Sequence, residues 1–299
     1  MPMDNANTNL RAESAVIGLI GADHFLSHFF IFVLPPLLPL MKLEFGVSYA
    51  ALGLAITIFN LTSALSQTPA GFLVDRFGPL TPLLAGILVG SISFLSIGLI
   101  PNYSSLLLFA GLAGIANSVY HPADYAILAA SISDTRMGRA FSLHTFAGYI
   151  GGAAAPLTMA FVLEISDWKT GLVATGLLGI CVFLLILSYK NRLSDTSPQE
   201  KTKQQINPNT NGFRLLLSLP MLMCFLFFIM ISMSASGIQG FGVVAFMDLH
   251  GATLQYSQMA LTGYLVGSAA GILVGGYIAD KTIYHERVAM IGFVSTAFL

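Results

Sequence analysis

Long apolar stretches alternate with short polar breaks along most of the chain. A membrane-spanning helix needs ~20 predominantly apolar residues, and the pattern predicts nine such segments. The first covers residues 16–40 and is bent where Pro35-Pro36 removes backbone donors. The second covers 47–70, the third 81–100, and the fourth 103–131 with Pro122 late in it. The fifth covers 139–163 and the sixth 170–189. Residues 190–212 turn polar and rich in Asn, Thr, Gln and Lys, which predicts a largely disordered linker. The seventh segment covers 213–247, interrupted by Gly237, Gly240 and Gly242, and a loop follows at 248–251. The eighth covers 253–280, and the ninth begins near Arg287 and is cut off at Leu299. The expected organisation is a tail (1–14), a six-helix bundle (15–189), a linker (190–212) and a partial second bundle (213–299).

Composition agrees with lipid as the solvent. The 299 residues are 55% hydrophobic and 9% charged, where a soluble domain carries roughly a quarter charged residues. A net charge of −1 and the lack of a basic patch argue against nucleic-acid binding. Cys181 and Cys224 lie inside apolar runs and read as packing residues. The first apolar run is too long for a signal-peptide core and lacks a small-residue cleavage site, so it reads as a retained span.

Basic residues set the orientation. With a cytosolic N-terminus, Arg11, Arg76, Arg136, Arg139, Lys190, Arg192, Lys201, Lys203, Arg214, Lys281 and Arg287 fall on the cytosolic side, and only Lys42 and Lys169 fall outside. Trp168 suits a membrane interface. The expected location is the inner (plasma) membrane.

The chain also repeats itself. Gly71-Phe-Leu-Val-Asp75-Arg76-Phe-Gly78 follows the second segment, and Gly276-Tyr-Ile-Ala-Asp280-Lys281 ends the eighth. At that same offset of 205 residues (276 − 71), Thr57 pairs with Thr262 and Gly46 with Gly251. Six predicted helices separate the copies, so both run the same way through the membrane, as in a parallel repeat of six-helix units. A second unit of three helices marks the sequence as a fragment of a twelve-helix protein.

These features resemble the major facilitator superfamily, whose hallmark loop reads Gly-x-x-x-Asp-Arg-x-Gly followed by two basic residues. Gly71, Asp75, Arg76 and Gly78 match, whereas Pro79 and Leu80 stand at the basic positions. Tyr120-His121-Pro122-Ala-Asp124 further resembles the fosmidomycin-resistance-like branch of efflux carriers. The resemblance implies an all-α polytopic carrier working by alternating access, with Asp75 bracing helix ends in one state. It implies that the first, fourth and fifth helices line the central cavity. The fourth helix lacks the buried arginine of many proton-driven efflux members, and the fifth matches their glycine–proline motif only through Gly148, Gly152 and Pro156.

Ionisable groups at membrane depth mark solute or proton paths. They are Asp23, His24 and His28 on the first segment, His121 and Asp124 on the fourth, and His144 on the fifth, all in the cytosolic half. An Asp/His cluster there can take up and release protons; the alternative is a set of silent interhelical contacts. Asn60, Asn117, Tyr149, Gln239 and Gln67 are neutral polar groups that either bind solute or tie helices together. Gly263, Gly267, Gly271 and Gly275 form a packing face. His24, His28, His121 and Asp124 offer the donor types of a zinc site, but no HExxH or CxxC fixes a geometry, so no metal or other cofactor is expected. No GxxxxGK[ST] occurs, so ATP is not an expected partner. The expected function is proton-coupled secondary transport of a small solute, efflux slightly favoured, by a protein monomeric when complete. The alternatives are a proton-coupled or facilitated importer of a small organic solute, a non-transporting receptor or scaffold, and a metal-dependent membrane enzyme.

Overall fold

The computed structural model describes residues 2–133, 136–193, 217–280, 282 and 284–298. Lys281 and most of the predicted linker lie outside these residues. The described residues form helices joined by short turns, with no strand among them. In order the helices are α1 (Pro2–Phe32), α2 (Leu38–Phe45), α3 (Tyr49–Phe77), α4 (Leu80–Leu99), α5 (Tyr103–Asn117), α6 (Tyr120–Ser131), α7 (Met137–Ile165), α8 (Trp168–Ser188), α9 (Leu219–His250), α10 (Leu254–Asp280) and α11 (His285–Ala297). The fold is that of an all-α polytopic membrane protein. Among the described residues, eight helical stretches are long and apolar enough to cross a bilayer, the first running Leu10–Phe45 and the fourth Tyr103–Ser131. The thirteen residues of α11 rise only ~20 Å, short of a ~30 Å hydrocarbon core.

Local chemistry explains where the helices start and stop. Ser48, Asn102 and Asp167 cap α3, α5 and α8 by accepting from the amides of Ala51, Ser105 and Thr170 at 3.1, 2.9 and 2.8 Å. The Thr170 amide holds the Asp167 carboxyl below its usual range. The first span breaks at the proline pair, where Pro35–Leu37 forms one 3-10 turn between α1 and α2.

Several boundaries differ from the sequence expectation. The predicted second helix ends at residue 70, yet α3 runs on to Phe77, so Gly71, Asp75 and Arg76 are helical. Gly71 alone does not stop a helix whose next residues are Phe72, Leu73 and Val74. The stop comes at Gly78, whose φ of 79° and ψ of 161° fall in a region that residues with a Cβ avoid. In the repeat, Gly276 and Asp280 fall within α10. Helix α9 is likewise continuous through Gly237, Gly240 and Gly242 and reaches His250. Glycine costs about 1 kcal/mol in a helix interior, less than an unmade backbone hydrogen bond in lipid. Cys181 and Cys224 are exposed and free, so neither packs the core. Trp168, the first residue of α8, is buried, and its Nε1 donates to Glu44 at 2.7 Å.

Helix α1 packs along α7, which also packs along α10, while α4 packs along α8 and α5, and α3 along α5. Missing Cβ atoms make these approaches possible. A Cβ on Gly21 would meet Ala147, one on Gly151 the Phe25 carbonyl, and one on Gly152 the Phe32 ring. The rising order of these partners makes α1 and α7 parallel. Helices α9 and α10 join this bundle near the end that carries Glu44. There Phe241 fills the space left by Gly53, Gln258 Nε2 donates to the Pro36 carbonyl at 3.2 Å, and Gln255 Nε2 donates to Glu164 at 2.9 Å.

Replacing Gly151 by Ala should push α7 off the Phe25 carbonyl and cost about 1–3 kcal/mol, as overpacking does. The midpoint of thermal unfolding in detergent should fall. Gly71→Ala, with nothing within 4 Å of the added methyl, should leave it level or raise it.

Candidate functional site

The break between α5 and α6 builds the site. Pro122 has no amide to donate, and its ring would clash with the carbonyl four residues back, that of Ser118. The fourth span therefore divides at Ser118-Val119, and Tyr120, His121 and Asp124 start a new helix. Across from them, Gly148 of α7 leaves room for α1, because a Cβ there would lie 2.6 Å from His24 and 2.9 Å from His28. His24 and His28, one turn apart, fill that room.

Four ionisable side chains from three helices meet in the interior. Asp23, His24, Asp124 and His144 are 0%, 3%, 0% and 1% exposed, with no Lys or Arg among the buried groups of the described residues. Asp124 Oδ2 lies 2.9 Å from His144 Nε2 and 3.5 Å from His24 Nδ1. The His24 and His144 rings are stacked with centroids 3.7 Å apart. The Asp23 carboxyl lies within hydrogen-bonding reach of the Asp124 carboxyl. The Tyr120 hydroxyl is buried, has no partner, and lies within the electrostatic reach of both acids. Sequence reasoning quoted Tyr120 only as a neighbour of the His-Pro-Ala-Asp run. Its place one turn before Asp124 was the signal that it shares that face.

His28 carries the cluster outward. Its ring is 4.7 Å from that of His24 and 6.3 Å from that of Tyr149. His28, Tyr149 and Gln239 line a cavity of about 300 Å³, also bounded by Phe32 and Ser236. Asn60 and Thr57 line a second, of about 340 Å³, which shares Ile31, Phe32, Ser236 and Gln239 with the first. No Lys, Arg, Asp or Glu lines either. His121 stands 5.1 Å from His24, beside Tyr125.

Asn117 is not with the other neutral polar candidates. Its Nδ2 donates to Ser63 Oγ at 3.2 Å, and Thr62 Oγ1 donates nearby to the Gly111 carbonyl at 3.0 Å. Both bonds tie α5 to α3. Of the motif residues, Arg76 lies over the Phe77 ring at 5.2 Å, and Asp75 is half-buried and engaged near the turn into α4. Sequence reasoning missed one ion pair: Arg136 donates from Nε and Nη2 to Glu13 at 2.5 and 2.6 Å. That pair keeps the guanidinium even more firmly charged than usual and sits at the end of the bundle nearest the cluster.

The metal reading of His24, His28, His121 and Asp124 is not the set the fold assembles. The donor atoms that converge, within 4.8 Å, belong to His24, Asp124 and His144. The His144–Asp124 contact of 2.9 Å is a hydrogen bond already made, and it is shorter than the ~3.3 Å edge of a tetrahedron built from roughly 2.0–2.1 Å bonds. The geometry fits a proton between ring and carboxylate better than an ion among them.

Residues 24–299 match the family model of the Major Facilitator Superfamily. The chain belongs to this superfamily. The fosmidomycin resistance protein of Escherichia coli (strain K12) is 25% identical over 283 residues, which are 92% of this chain and 68% of that protein. A probable L-galactonate transporter of the same organism is 28% identical over 152 residues, 50% of this chain and 33% of that one. Among solved structures, a bacterial homolog of the human lysosomal transporter Spinster, inward-facing and unoccupied, superposes with a TM-score of 0.74 at 18% identity over 90% of this chain and 63% of that one. The chain thus spans about two thirds of the length of the resistance protein and of the Spinster homolog, and a third of the other transporter.

The two amide positions should separate cleanly. Asn117→Ala removes one interhelical hydrogen bond, worth about 0.6 kcal/mol in membrane proteins, and should lower thermal stability slightly with solute affinity unchanged. Gln239→Ala should leave stability level and weaken solute binding, read by calorimetric titration of the complete protein.

Proposed function

We propose that the chain is the larger part of a secondary active transporter that moves a small organic solute by alternating access, coupled to protons, with export favoured. The observation that carries this reading is Asp124, buried at 0% exposure and hydrogen-bonded to His144, one imidazole away from a cavity edged by His28. A carboxylate with no fixed cation beside it is held in lipid at high cost unless protons balance it. Imidazole is the side chain that exchanges protons near neutral pH. Asp124, His24, His121 and His144 form the store in this reading, Asp23 stands beside it, and His28 passes the proton to the solute cavity.

The solute meets Asn60, Tyr149, Gln239 and Ser236, all uncharged hydrogen-bonding groups, and lies against Phe32. The likeness to a resistance protein over 92% of the chain supports export. The likeness to a probable L-galactonate transporter supports a small organic solute. Asp75 and Arg76, with Gly71 and Gly78, govern the rocking at the turn between α3 and α4, and Gly276, Asp280 and Lys281 play the matching part in the second half. The protein lies in the inner membrane as a monomer with its N-terminus in the cytosol, because eleven of its thirteen basic residues then face that side. It is a carrier and not an enzyme: the polar groups of the site are an imidazole–carboxylate set without a nucleophile poised against a base.

The test uses the complete protein in vesicles with a pH-sensitive dye inside and a panel that includes fosmidomycin and sugar acids. One solute should trigger proton movement, and Asp124→Asn should reduce that movement at least tenfold. Solute flux without proton movement would leave a facilitated importer or exporter and remove the relay. Binding with no movement of either would favour a receptor.

A further inference from the structure

The two buried acids are not equivalent. Asp124 Oδ2 is met by two imidazole nitrogens, at 2.9 Å from His144 and 3.5 Å from His24, whereas Asp124 Oδ1 has no donor. Asp23 has a donor on neither oxygen, is 0% exposed, and meets the Asp124 carboxyl. The groups around the pair are His24 and His28 from α1, Tyr120, His121 and Tyr125 from α6, and His144 from α7. None is a lysine or an arginine.

Two ionised carboxylates in contact would set acceptor against acceptor and charge against like charge, out of water. A single proton removes both faults if it sits on the right acid. On Asp124 Oδ2 it would compete with the hydrogen that His144 presents. On Asp23 it converts an acceptor-only group into a donor for the neighbouring Asp124 carboxyl, whose Oδ1 lacks one. Asp124 then accepts from Asp23 as well as from His144, the latter at Oδ2.

We infer that Asp23 is a resident neutral acid, a positioning residue whose O–H donates to Asp124 Oδ1, and that the exchangeable proton is held between Asp124 and the imidazoles of His24 and His144. This rests on the proton-coupled reading only for its second half; the resident acid stands on the burial of Asp23 and the lack of a donor at either of its oxygens. It makes the two aspartates respond oppositely to the same substitution. Asparagine at 23 reproduces the shape and the donor of a protonated acid. Asparagine at 124 removes the charge that the imidazoles need.

Infrared spectroscopy of the purified complete protein reads this directly, through the C=O stretch of a protonated carboxyl group in H2O and in D2O. Asp23 and Asp124 are the buried acids among the described residues, so a buried-acid band reports on this pair. The band should be present in the wild type at neutral and mildly alkaline pH, lost in Asp23→Asn, and kept in Asp124→Asn. A band lost in Asp124→Asn, whether kept or lost in Asp23→Asn, would overturn the assignment, and so would a wild type with no band. Should Asp23→Asn fail to fold, the Asp124→Asn spectrum decides alone. In the vesicle assay Asp23→Asn should keep the wild-type pH profile of fosmidomycin-driven or sugar-acid-driven proton flux, while Asp23→Leu, which cannot donate, should shift it. A persistent band in a protein that moves no protons would remove the relay and leave the resident acid standing.

Discussion

A carboxylate that has left water needs a donor already in place, and Asp124 has His144 at 2.9 Å, with His24 nearby at 3.5 Å. His144 comes from α7 and His24 from α1, and both rings address the same oxygen. Much of the bundle's arrangement follows from this contact. Helix α6 begins where it does because Pro122 cannot continue α5, and that break sets Asp124 facing α1. Helix α7 approaches closely because Gly148 and Gly151 carry no side chain. The polar centre and the small-residue seam are therefore one design: the seam draws α1 and α7 together, and the charge makes their register matter.

The site and the bundle junction lie at different depths. The described contacts between the first bundle and α9–α10, at Gly53, Pro36 and Glu164, gather toward the end that carries Glu44 and Lys169. The Asp/His cluster lies toward the opposite end, near the Glu13–Arg136 pair. His28 and the cavities it edges lie between them. In the proposed cycle a change of charge at that level would act on helices that α9 and α10 meet from the Glu44 end as far as the His28 cavity.

Much of this could be read from sequence, for physical reasons. Membrane-length apolar runs are local signals, so the first eight spans are legible in the sequence. The ionisable residues at membrane depth were few enough to name one by one, and five of them, Asp23, His24, His121, Asp124 and His144, do assemble, with His28 beside them. Orientation around a helix axis was not legible. Nothing in the composition distinguishes Asn117, which ties α5 to α3, from Gln239, which faces a cavity. The end of α3 was misplaced because a lone glycine was given more weight than the apolar residues after it. Glu13 and Arg136 are 123 residues apart, and no local pattern pairs them.

The central claim is that the charge on Asp124 couples solute to protons without itself binding the solute. Counterflow across vesicles, measured beside uphill accumulation for whichever member of the solute panel moves, tests it most directly. Asp124→Asn should exchange labelled for unlabelled solute at near the wild-type rate yet fail to accumulate it against a gradient when a pH difference is imposed. Loss of exchange and accumulation together, in a variant that remains folded, would place Asp124 in solute binding and contradict the account. Accumulation that survives the substitution would contradict it as well.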